Sequence, residues 1–164
     1  LSSLAACGGG SETGPPARNV VVKGAGFQFE APPGWRTSRT GSSVVVRQDS
    51  AGTTLVSATA FVLLKPYSPA LFARAAQELD GVAAKLAAQA RTTIAESKTV
   101  TVGGERVRSY RLTVKPASGA AFDEQIGFVL HGKREIQLLC RAPVGVTDPD
   151  GACALLYSTF RLSS

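Results

Sequence analysis

Several residue types are scarce here, and each scarcity closes off a class of function. No methionine occurs in the 164 residues, so Leu1 is expected to be a cut into a longer reading frame. There is one histidine, His131, beside Gly132 at the end of a strand-like run. Any Ser-His-Asp or Cys-His machinery would have to use it. No G-x-S-x-G elbow accompanies it, and a lone histidine at a turn reads as a solvated polar residue. Neither late cysteine has a CxxC partner or a histidine nearby, which argues against a metal site. No stretch of roughly 18 unbroken apolar residues is present, so no complete membrane helix is expected. Yet 44% of the chain is hydrophobic and only 18% is charged, which argues for a packed core over disorder. The length suits a single domain.

What is there is concentrated at the start. Cysteines occur at positions 7, 140 and 153, an odd count that asks which one is unpaired. Residues 1–6 are apolar or small and run straight into Cys7, like the tail of a signal peptide. Leu4-Ala5-Ala6-Cys7 looks like a bacterial lipobox, in which the cysteine is acylated before cleavage. The following residues, through Arg18, are rich in Gly, Ser and Pro, the composition of a flexible tether. The expected division is therefore 1–6 signal tail, 7–18 lipobox cysteine and tether, and 19–164 one folded domain. Cys140 and Cys153 remain as an even pair, and an exported chain lies where disulfides persist. Closing that loop would stabilise the fold by roughly 3 kcal/mol in the chain-entropy view. The alternative is two buried free thiols.

Periodicity sets the fold class. Phe27, Phe29 and Ala31 alternate with polar residues, Val44 to Val46 form a β-branched run, and Leu55 to Leu64 form a longer strand. Ser68 and Pro69 open a helix as N-cap and N1, and a 3.6-residue stripe of apolar residues carries it to about Arg91. Four strand-like runs follow in meander spacing: 93–102, 105–115, 121–131 and 133–140. Gly103-Gly104 and His131-Gly132 supply hairpin turns between them. A short helix starts near Asp148 and carries Cys153, Leu156 and Phe160. The expectation is an α+β domain: an antiparallel β-sheet flanked by helices, an α/β/α sandwich.

Phe27-x-Phe29-x-x-Pro32-x-Gly34-Trp35 resembles the opening strand and turn of PsbP-like domains. The element order is similar too, through the Gly-Gly hairpin leading into Arg106-Val107-Arg108-Ser109-Tyr110 and the final Ser158-Thr159-Phe160-Arg161-Leu162. The likeness is strongest to the LpqN-type lipoproteins of actinobacteria, and covers Asn19 to Ser164. It implies a sheet sandwiched by helices and no common activity.

Other motifs dissolve on inspection. Gly24-Ala25-Gly26 lacks the third glycine and the following helix of a dinucleotide loop. Asp148-Pro149-Asp150-Gly151 lacks the remaining oxygen ligands of a calcium loop and reads as a helix cap. Glu124, on an otherwise apolar face, reads as a residue near a strand end more than as a cavity lining. No motif calls for a cofactor. Eighteen Lys+Arg against twelve Asp+Glu leave a net charge of +6. Arg36, Arg39 and Arg47 gather near Trp35, and Arg106, Arg108 and Arg111 lie along one run. Without a nucleic-acid motif, these form a candidate basic patch for anionic lipid, an acidic envelope polymer or a protein partner, not for nucleic acid. An ordinary solvated basic surface explains them equally well. The combined expectation is a lipid-anchored, extracytoplasmic, non-catalytic binding module of the cell envelope. The alternative is an envelope-acting hydrolase or transferase with an unrecognised site.

Overall fold

The computed structural model describes residues 17–163, so the expected lipobox and most of the tether lie outside the described residues. Eleven principal elements follow in order: β1 (Val20–Gly24), β2 (Phe27–Ala31), β3 (Arg36–Thr40), β4 (Ser43–Arg47), β5 (Leu55–Tyr67), α1 (Phe72–Gln89), β6 (Ile94–Val102), β7 (Glu105–Val114), β8 (Phe122–Pro143), α2 (Ala152–Thr159) and β9 (Arg161–Leu162). They form two antiparallel sheets, a small one in the order β1-β2-β9 and a large one in the order β3-β4-β5-β8-β7-β6. The fold class is α+β as expected, but the strands do not share one sheet. β1, β2 and β9 form a separate layer, and Phe27, Phe29 and Phe160 are buried in the core between it and the large sheet.

β8 folds back on itself. Val144 N–H donates to Ala121 O, and Arg141 bonds Glu124, so the two ends of this 22-residue run lie side by side. Gly132 carries a φ of 54°, the hand that the first central residue of a type II′ turn requires. One arm then pairs with β7 and the other with β5. The fold-back also explains which residues point where. Ile126, Phe128 and Leu130 face α1, whereas Ile136, Leu138 and Cys140 face the other way.

Each face of the large sheet has its own core. On one face the small sheet and α2 bury Phe27, Phe29, Val56, Ile136, Leu138, Leu156 and Phe160, with stacked aromatic rings about 6 Å apart. On the other, α1 lays Leu79 and Ala83 over Tyr110, Leu112, Ile126 and Phe128. Pro69–Leu71 form a single 3₁₀ turn, and α1 proper begins at Phe72 and ends two residues short of the expected Arg91. Ser68 sits at the cap position but makes no side-chain capping bond; its carbonyl accepts the Leu71 N–H instead. Cys140 and Cys153 are bonded, with Cα atoms 5.6 Å apart, tying α2 to the large sheet.

Candidate functional site: a cleft beneath the disulfide-tied helix

The loop from Pro143 to Gly151 and helix α2 overhang the large sheet and leave a cleft of about 600 Å³. That volume is in the range of small-molecule sites. Its floor is the α2-facing row of β6, β7 and β8, including Val100, Arg111 and Gln125. Its roof is Val146, Asp148, Cys153, Ala154 and Tyr157, and Trp35 closes one end.

The roof is held by capping geometry. Asp148 accepts the N–H groups of Cys153 (2.6 Å) and Ala154 (3.0 Å), satisfying two of the orphan donors that begin α2. This is the capping role expected of Asp148. Asp150 accepts from Trp35 Nε1 (2.9 Å) and from Gln48 Nε2 (3.1 Å), anchoring the same loop to the strands. Asp148 and Asp150 both have left-handed φ, 35° and 54°, an uncommon conformation for residues with a side chain. With the disulfide, these contacts over-determine a strained loop.

The ionic groups around the cleft are engaged. Glu124 is bound by Arg141 at 2.6 and 2.9 Å, and Arg141 stacks over Phe122. The sequence reading of Glu124 as merely near a strand end is corrected: it lies there and also lines the cleft, because the returning arm of β8 sets Arg141 beside it. Asp123 accepts from the Thr113 hydroxyl (2.6 Å), and Lys98 and Arg111 both approach Glu96.

Tyr157 is the exception. Its hydroxyl is buried beside Ser109 and Gln125, with neither of them in good hydrogen-bond geometry. It lies directly over Gly127, where an added Cβ would come within 2.6 Å of the oxygen. Burial pushes its pKa up, and the nearby Ser109 and Gln125 pull the other way. Sequence reasoning missed this group, although a lone glycine inside a strand pattern does signal a close approach.

The candidate basic patch is divided. Arg36 and Arg47 stand opposite one another on β3 and β4, and Arg39 donates to the Lys23 carbonyl (3.3 Å). Arg106 and Arg108 belong to β7, with β5 and both arms of β8 between the two sets. Arg106 stacks on Phe72, 4.0 Å from the ring centroid. Arg108 is bound to Asp80 of α1 at 2.8 and 3.3 Å, and Tyr110 donates to the same carboxylate at 2.6 Å. These bonds hold the Asp80 carboxyl below its ordinary pKa. His131 lies at the opposite end of the sheet from the cleft, with Nδ1 2.8 Å from Glu105. Cys7 lies outside the described residues.

No protein-family model matches the sequence, and no curated protein matches it. Solved structures do. The solution structure of the cyanobacterial PsbP, CyanoP, from Synechocystis sp. PCC 6803 superposes with a TM-score of 0.62 at 14% identity, covering 97% of this chain and 98% of that one. The crystal structure of LpqN of Mycobacterium tuberculosis, described as involved in cell envelope biogenesis, gives a TM-score of 0.56 at 14% identity, with 90% and 91% coverage. A crystal structure from Bacteroides thetaiotaomicron VPI-5482 gives 0.57 at 13% identity; 89% of this chain matches, spanning about half (48%) of that one. At these identities the likeness is one of fold, and the fold is PsbP-like.

Proposed function

We propose that this chain is a lipid-anchored, extracytoplasmic module of the cell envelope, held by an acylated Cys7, that binds its ligand or protein partner without catalysis. The observation that carries the extracytoplasmic part is the Cys140–Cys153 bond closing the roof of the cleft, since such bonds persist in oxidising compartments. The lipobox-like residues before the tether and the similarity in fold to LpqN, an envelope biogenesis protein, support the same reading. The non-catalytic part is supported by the work the cleft's polar groups already do. Glu124 neutralises Arg141, Asp148 caps α2, Asp123 holds Thr113, and both cysteines are bonded. A cleft with a fixed roof and a mixed polar and apolar lining suits recognition of a small ligand more than bond-making. Fractionating cells that express the full precursor tests the anchor. Wild-type protein is expected with the membranes and Cys7→Ala as folded protein in the detergent-free soluble fraction. A Cys7→Ala variant that stays on the membrane would overturn it.

A further inference from the structure

We propose that the end of the sheet remote from the cleft is a docking tip for the surface of an anionic lipid bilayer. The proposal rests on the shape and charge of that end and not on acylation of Cys7. Between the paired positions Val62↔Arg134 and Tyr67↔Gly132, β5 has four residues, Leu63 to Pro66, where its partner has only Lys133. Three surplus residues must bulge outward. Leu63 still packs against the α1-face core, but Leu64 is 100% exposed and Val62 is 86% exposed. Aliphatic side chains that fully solvated, side by side, are unusual on a strand that continues into the core. They form a short apolar prow.

The charge around the prow is of one sign. Lys65 lies within the bulge and Lys133 stands across from it at the β8 turn, both exposed; Arg134, paired with Val62, lies over Gly26 and donates to the Ser163 carbonyl (3.4 Å). No acidic residue occurs in 62–67 or in 131–134. Beyond these segments, Glu135 stands opposite Phe61 and Glu105 is engaged by His131. Glu135 is partly buried on the strand beyond the turn, whereas Lys65 and Lys133 are exposed. Aliphatic groups that can enter the headgroup–acyl boundary, flanked by the lysines Lys65 and Lys133 that can reach lipid phosphates, match an anionic bilayer chemically. An acidic soluble polymer would satisfy the cations and leave Val62 and Leu64 in water.

The test uses the full chain with Cys7→Ala, so that no acyl chain contributes, and sedimentation with large vesicles. Binding is expected to vesicles of phosphatidylcholine with about 30% phosphatidylglycerol, and to weaken with added salt. Leu64→Ser is expected to weaken it about tenfold by removing the inserted side chain. Lys65→Gln with Lys133→Gln is expected to weaken it by about 5-fold per lysine and to flatten the salt dependence. These positions are exposed, so both variants keep the fold, and circular dichroism checks it. Equal binding by Leu64→Ser and the parent, or no preference for anionic vesicles, would overturn the proposal. So would a concentration-dependent dimer that Leu64→Ser abolishes, which would give the prow to a second copy of the chain.

Discussion

The two faces of the large sheet are covered by different means. The α2 face is closed by three stacked phenylalanines, a fully buried Leu156, a second sheet and a disulfide. The α1 face is closed by one alanine-rich helix, whose Val82 and Leu86 remain partly exposed and whose grip includes a polar clamp of Asp80 on Arg108 and Tyr110. The face that carries the cleft is therefore the rigid one. A short helix of eight residues has little stability of its own, so its position depends on packing, capping and the covalent tie. The long helix can rely on its stripe and on backbone bonding.

That contrast can be broken in graded steps. Phe160→Ala removes a completely buried ring and is expected to cost about 3–5 kcal/mol by chemical denaturation. Leu79→Ala on the other face is expected to cost nearer 2 kcal/mol, because that site borders solvent and can relax. Reversal of this order would contradict the comparison. Cys140→Ser with Cys153→Ser is expected to cost roughly 3 kcal/mol and to lower Tm by about 6–12 °C, with the local loss read by hydrogen exchange in 143–159 and not in α1.

Asp80→Ala is expected to cost about 1–2 kcal/mol, since it strands the Tyr110 hydroxyl, whose residue is only 2% exposed. The pH dependence has a definite sign. A carboxyl whose folded pKa is lowered stabilises the protein above its ordinary value of 3.8 and loses that contribution as pH falls through the depressed folded pKa. The gap between wild type and Asp80→Asn should therefore close in that acid range. The smallest expected effect has the opposite sign. Burial raises the Glu135 pKa above 4.5, so ionisation opposes folding as pH rises. Glu135→Gln should stabilise slightly at pH 7 and not at all near pH 3.

Much of the framework was legible because it is written in local signals. The α1 stripe, the Gly103-Gly104 turn with both residues at positive φ, and the return at Gly132 each follow from residue type and period. The separate small sheet was not legible, because the strand pattern of Phe27 and Phe29 shows that a face is buried and not against which layer. β3 was missed for a related reason: Arg36–Thr40 is exposed throughout and has no hydrophobic alternation to read. At the cleft, Asp148 was readable as a cap and the cysteines as a pair. The Glu124–Arg141 bond needed the β8 fold-back, and the Tyr157–Gly127 contact joins residues 30 positions apart with no pattern linking them. Arg108 looked free for a ligand only because its partner, Asp80, lies on another element.

The proposal of an acylated, exported domain is tested most directly by peptide mass mapping, without reductant, of the protein purified from its own host's membranes. An N-terminal peptide that begins at Cys7 and carries added acyl mass is expected, together with a cross-linked peptide joining Cys140 to Cys153. An unmodified Cys7 preceded by residues 1–6, with Cys140 and Cys153 recovered as alkylatable thiols, would contradict it.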